Sequence, residues 1–302
     1  MGHIFYEPTN RRDFLKTSLV SVATIVTLGG CGSPGKRQAK VSQAQTRWAF
    51  LADTHIPENT EEKYNNFYPY KNLNDTVPQL LSTELDGISI AGDLARLEGK
   101  LGDYKNLKHL LTPLAEQKPV FMAMGNHDDR GNFQNVFTEL PGQKQNVAGK
   151  HVTVIETGPV RIIMLDSLMF VNKTPGLLGA AQRRWLGKYL AGDDQIPTIL
   201  CFHHTMTDGD GDLLDVPRLF EMIGPIRKVK AIFYGHSHAY SYTKFEDIHL
   251  INVPATGYCF GQGVPVGWVE ASLTAAGGKF TLHAIAGEKA QDNSVTELSW
   301  RA

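Results

Sequence analysis

The chain has few cysteines, no excess of charge of either sign and no apolar run long enough to cross a bilayer. Three cysteines in 302 residues cannot build a disulfide-held scaffold. Thirty basic residues stand against 31 acidic ones, a net charge of −1, so charge supplies no surface for a nucleic acid polymer. The apolar run from Thr17 to Gly30 holds 14 residues, short of the roughly 20 that a spanning helix needs. No internal repeat or low-complexity stretch follows residue 46. What the chain does have is apolar material: 42% of its residues are hydrophobic. That is enough for a sizeable core, as one large α/β domain or two smaller ones.

The N-terminus reads as an address rather than as fold. Thr9-Asn10-Arg11-Arg12-Asp13-Phe14-Leu15-Lys16 resembles the twin-arginine export motif, and Leu28-Gly29-Gly30-Cys31 resembles a bacterial lipobox. The resemblance implies a signal peptide over 1–30, cleavage before Cys31 and acylation of its thiol. An uncleaved anchor or a chance basic-apolar start is the alternative. Residues 31–46 are polar and aperiodic and read as a flexible tether, with the folded domain over 47–302. Without residues 1–30 the balance is 27 basic against 29 acidic residues, so acyl chains rather than charge would hold the protein on a membrane. The expected location is the periplasm or the cell surface. The twin-arginine route carries folded proteins, so any metal would be loaded in the cytoplasm. With Cys31 lipidated, Cys201 and Cys259 remain. A disulfide between them is allowed in an oxidising compartment; the other reading is two small buried hydrophobes.

Short apolar runs alternate with longer amphipathic ones. Strands are expected at Trp48–Ala52, Gly87–Ala91, Val120–Met124, Thr198–Phe202 and Lys230–Tyr234, and helices at about 71–84, 103–116, 180–191 and 215–227. This alternation predicts a sheet-centred α/β fold. Each of the five runs ends in a group able to bind a metal. Six of the eleven histidines (His55, His127, His203, His204, His236, His238) fall at these ends. Ligand sites in open α/β sheets form outside the carboxyl ends of strands, so five ends could meet in one cleft.

In chain order the polar blocks are Asp53-Thr54-His55, Gly92-Asp93-Leu94-Ala95-Arg96, Gly125-Asn126-His127-Asp128, His203-His204 and Gly235-His236-Ser237-His238. Carboxylate, amide carbonyl and imidazole suit Mn, Fe, Co or Zn, and no thiolate is offered. Residues two apart on an extended segment point the same way, so Asp53 and His55 could share one ion, and His236 and His238 could face one cleft. The order of blocks resembles the calcineurin-like metallophosphoesterase family from about residue 47 to 240. That resemblance implies two packed mixed β-sheets flanked by helices, an α/β/β/α sandwich. It also implies two divalent ions: one on Asp53, His55, Asp93 and His238, the other on Asp93, Asn126, His203 and His236, with Asp93 bridging. The implied reaction is in-line attack on phosphorus by hydroxide generated at the metals.

His127 resembles the family histidine that protonates or stabilises the leaving group. Asp128 either orients His127 or caps a turn. Arg96 either binds substrate phosphate or makes a structural salt bridge, the reading favoured here; His204 either meets substrate or packs. Gly125-Asn126-His127-Asp128-Asp129-Arg130 and the segment Gly176 to Leu186 resemble the bacterial cyclic-nucleotide and glycerophosphodiester phosphodiesterases. One departure is Thr205-Met206 after His203-His204, where that branch carries prolines. Arg96 stands where purple acid phosphatases carry a metal-binding tyrosine, which argues against that branch. Asp208 to Asp212 lacks the glycine and final glutamate of a calcium loop and reads as a solvated acidic loop beside the cleft. The expected substrate is a small phosphate ester, a diester before a monoester. A catalytically silent metal-binding lipoprotein is the rival from another class. Oligomeric state is not legible. Later runs at Ile248–Val253, Pro265–Glu270 and Lys279–Ala284 look like strands completing a second sheet, with Asn252 to Tyr258 as a candidate cleft rim.

Overall fold

The computed structural model of the protein describes residues 44–302. The twin-arginine-like segment, Cys31 and nearly all of the tether lie outside these residues. Two sheets pack face to face. The first has the order β13 (Val295–Ser299), β12 (Gly277–Gly287), β11 (Pro265–Thr274), β1 (Gln45–Leu51), β2 (Gly87–Ile90), β3 (Val120–Met122). The second has the order β4 (Gln143–Gln145), β5 (Val152–Glu156), β6 (Arg161–Met164), β7 (Thr198–Cys201), β8 (Val229–Tyr234), β10 (Ile248–Asn252), β9 (Ser241–Phe245). Helices α1 (Pro69–Ser82), α2 (Leu101–Ala115) and α3 (Arg130–Val136) belong to one side. Helices α4 (Gly179–Leu190) and α5 (Val216–Ile223) cover the other.

The apolar runs show no polar alternation because both faces of the central strands are buried. In β1, Trp48 and Phe50 point between the sheets while Ala49 and Leu51 point to α1 and α2. In β7, Ile199 and Cys201 face the sandwich while Leu200, with Phe202 just beyond, meets α4 and α5. Phe50 and Phe233 stack across the sandwich at 4.0 Å. Three cores therefore separate four layers, and the expected α/β/β/α sandwich is the observed one.

Several boundaries and placements differ from the sequence reading. Strand β1 begins at Gln45 and Thr46 is buried, so the folded domain includes the last residues of the stretch read as tether. Helix α5 stops at Ile223 rather than near 227, because Gly224-Pro225 follows and proline has no N–H to continue a helix. The three late strands do not complete one sheet. Strand β10 pairs parallel to β8 in the second sheet, whereas β11 pairs antiparallel to β1 and extends the first. Among the described residues both remaining cysteines are free: Cys201 is sealed beside Ser89 in the sandwich, and Cys259 bonds the Gly261 carbonyl. No helix of the described residues is long and apolar enough to cross a membrane.

Candidate metal centre

Strands β1, β2 and β3 run parallel in one sheet and β6, β7, β8 and β10 run parallel in the other. Parallel strands end at the same edge, so the two sheets bring Asp53, Asp93, Asn126, His203 and His236 to one place. Pairing continues past the strands: Asp53 N donates to Gly92 O and His55 N to Asp93 O, both at 3.0 Å. Glycine is required at Gly92, with φ +90°, where a Cβ would lie 2.8 Å from the His203 Cβ. At Gly125 a Cβ would collide with the Asp93 carboxylate.

The convergence of Asp53 with His55, and of His236 with His238, has a different cause from extended geometry. All four have left-handed backbones, with φ of 51°, 46°, 72° and 54°, and Asp93 joins them at 49°. A left-handed conformation costs an L residue roughly 1–2 kcal/mol. Five such residues in one cleft mark stored strain of the kind that gathers at functional sites.

The side chains form two groups. Asp53, His55 and His238 have ligand atoms within 4.8 Å of one another, and so do Asp93, His203 and His236. Asp93 Oδ2 lies 3.2 Å from His203 Nε2 and 3.6 Å from His55 Nε2, between the two groups. Each imidazole turns one nitrogen outward to a backbone carbonyl: His55 Nδ1 to Arg96 at 3.2 Å, His203 Nδ1 to Ala91 at 2.9 Å, His236 Nε2 to Gly211 at 3.0 Å and His238 Nδ1 to Tyr258 at 2.7 Å. A carbonyl only accepts, so each outer nitrogen carries a proton; the neutral rings of His55, His236 and His238 turn a bare lone pair inward, while His203 aims its inner nitrogen at the Asp93 carboxylate. The inner nitrogens of His55 and His238 then face each other at 3.1 Å, and those of His203 and His236 at 3.2 Å. Between His55 and His238 two lone pairs meet at that distance and repel unless a cation lies between them. The buried Asn126 Oδ1 has no hydrogen-bond partner, a loss of about 1–3 kcal/mol if left so. These donors fit two divalent ions.

The ionisation directions describe the same demand for positive charge. Burial, with Asp93 nearby, pushes the Asp53 carboxyl up to about 7. Burial works against protonated His203, but Asp93 and Asp53 outweigh it and push that imidazole up to about 9. Burial brings His236 and His238 down to about 4, which keeps both neutral.

The remaining expected site residues separate. The His127 amide donates to Asp93 Oδ1 at 2.9 Å, and its Nδ1 meets the Leu97 carbonyl at 2.9 Å. Its Nε2 lies 3.9 Å from Asp93 Oδ2 at the open side of the cleft. Asp128 is directed elsewhere: it accepts from the amides of Leu94, Ala95 and Gly125 and from the Tyr104 hydroxyl. It ties the Gly92 and Gly125 blocks together instead of orienting the His127 ring. Arg96 is salt-bridged to Glu62 at 2.6 Å and lies over the Tyr64 ring at 4.4 Å, so its cation is already paired. His204 is fully buried between Ser167 Oγ at 2.7 Å and the Thr174 carbonyl at 3.1 Å, and packs instead of reaching substrate.

Three supporting residues are not legible in the blocks. Tyr104 on α2 bridges Asp128 and the Asp129 amide. Ser167 accepts from the amides of both His203 and His204. Buried Asp166 takes a bidentate pair from Arg130. Asp166 and Ser167 follow β6 as Asp93 follows β2, and that strand-end position was the available signal. The acidic loop does border the cleft, through the Gly211 carbonyl on His236.

Residues 46–240 match the sequence profile of the calcineurin-like phosphoesterases. The chain belongs to that family. A probable cyclic nucleotide phosphodiesterase of Synechococcus sp. is 30% identical over 212 residues, 68% of this chain and 75% of its own. A probable glycerophosphodiester phosphodiesterase of Arcobacter nitrofigilis is 28% identical over 218 residues, 69% of this chain and 77% of its own. Among solved structures, a dimetal phosphatase from Danio rerio superposes with a TM-score of 0.65 at 12% identity, covering 85% of this chain and 99% of that one. That likeness shows the fold. The protein is a phosphoesterase with two candidate metal-binding groups at the carboxyl edge of its paired sheets.

Proposed function

We propose that the protein is a dimetal phosphodiesterase acting on small esters, with the first ion on Asp53, His55, Asp93 and His238 and the second on Asp93, Asn126, His203 and His236. The observation that carries the reading is the inward aim of four imidazole nitrogens into two groups that Asp93 Oδ2 links, with a nitrogen of each group within 3.6 Å of it. Bound divalent ions would neutralise phosphate charge and lower the pKa of water from about 16 to about 7. The chain's own residues do the rest. The backbone carbonyls of Ala91, Arg96, Gly211 and Tyr258 fix the ring tautomers. The Leu97 carbonyl holds His127 Nδ1–H and so leaves Nε2 as the nitrogen that would hand a proton to the departing oxygen, worth about 10²–10⁴ in rate.

Diester preference is supported by charge and by the names of the relatives. A monoester carries a second ionised oxygen that needs a further cation. Arg96 at this edge is already neutralised by Glu62, and the acidic loop lies beside His236. The N-terminal blocks support export by the twin-arginine route and anchoring through Cys31; Cys31→Ser should release the protein from membranes.

The test is hydrolysis of an aryl phosphodiester and of the matching monoester by protein loaded in turn with Mn, Fe, Co and Zn. Chelator-sensitive diester turnover above monoester turnover is expected. Faster monoester turnover would move the protein to the phosphatases. Bound metal without turnover on either would favour a binding lipoprotein.

A further inference from the structure

Beside the Asp53–His55–His238 group stands a wall of aromatic rings. Tyr258 is buried, with its ring 4.7 Å from His55 and 4.5 Å from His238. It supports two rings that reach solvent: Tyr64 at 4.6 Å and Phe260 at 5.5 Å. Phe260 also rests on His238 at 4.5 Å yet is 62% exposed. Tyr64 is 36% exposed, with the paired Arg96 over its ring at 4.4 Å. An exposed phenylalanine held against a buried imidazole leaves ring surface open to solvent beside the Asp53–His55–His238 group. Apolar surface left in water is a cost that a ligand can recover. Flat rings preferentially accept other rings in offset or edge-on packing.

We propose that Phe260, backed by Tyr258 and flanked by Tyr64, binds the organic group of the ester and selects esters whose alcohol carries a planar aromatic ring over those with small alkyl groups. The inference rests on the phosphodiesterase reading for its substrate and adds the feature that chooses among diesters. Phosphate is handled at the imidazole and carboxylate edge. The ring wall handles the rest of the molecule, without a free charge of its own.

The test compares Phe260→Leu, which keeps bulk but removes the ring, with Phe260→Trp, which restores one. For an aryl methyl phosphodiester, Phe260→Leu should raise KM about tenfold with little change in kcat. The inhibition constant of dimethyl phosphate and the metal content should stay as in the wild type. Phe260→Trp should return KM to near the wild-type value. Equal shifts for both ligands, no shift for either, or loss of metal would overturn the proposal. A second measurement needs no turnover. Fluorescence of Phe260→Trp should be quenched on titration with a methyl phenylphosphonate and not with the corresponding methylphosphonate. Quenching by both or by neither would also overturn it. A wild type inactive on every diester would remove the phosphodiesterase reading alone, since this titration still judges the wall.

Discussion

His55 Nε2 and His238 Nε2 face each other at 3.1 Å, each ring's other nitrogen being committed to a carbonyl. Two lone pairs so placed, with five left-handed ligand-edge residues around them, make a fold that is costly without cations. Removing metal should therefore lower the melting temperature. At a hundredfold excess over Kd a bound ion contributes about 2.7 kcal/mol. In a domain of this size that is about 5–10 °C. Calorimetry before and after chelation, with re-addition of Mn²⁺, measures it.

Metal uptake should release protons. In the metal-free protein His203 is pushed up to about 9 and Asp53 to about 7, whereas His236 and His238 lie near 4. At pH 7 the raised His203 imidazole holds a proton, and an ion that takes its inner nitrogen displaces it. Affinity should rise from pH 6 to pH 9. Calorimetric titration at pH 7 in two buffers of different ionisation enthalpy should report at least one proton released per chain.

Asn126→Leu should act with opposite signs in the two states. The Asn126 carbonyl oxygen is buried without a partner, so an apolar group of similar size removes a cost of about 1–3 kcal/mol. The metal-free variant should resist urea better than the metal-free wild type. With metal present it should bind one ion where the wild type binds two, read by elemental analysis.

Much of this arrangement was legible in the chain because polar groups interrupt apolar runs at the ends of central strands. Asp53, Asp93, Asn126, His203 and His236 stand out for that reason. Other features were not legible because they depend on distant segments. Nothing local to Pro265–Thr274 tells it to pair with β1 instead of joining the second sheet. The β5–β6 hairpin is rich in β-branched residues, but it ends in Asp166 and Ser167, whose work is to hold Arg130 and the His203 and His204 amides. Between the two readings of Asp128 the sequence could not choose; the Asp128 carboxylate takes the Gly125 amide across the turn, and its further donors come from β2's extension and α2. Arg96 met its partner Glu62 across a loop.

His127→Ala should lower kcat about 10²–10⁴-fold while both ions remain bound, because its ring bonds a carbonyl at one nitrogen and faces the cleft with the other. Metal analysis beside steady-state kinetics separates the two effects. Loss of both ions in this variant would give the ring a different role.

Whether a pair of ions shares Asp93 is decided by titrating metal-free protein with Mn²⁺ while diester turnover is followed. Two ions per chain are expected, with full turnover only after the second, and Asp93→Asn should lose at least one ion together with turnover. Full turnover with a single ion, or turnover in metal-free protein, would contradict the shared pair.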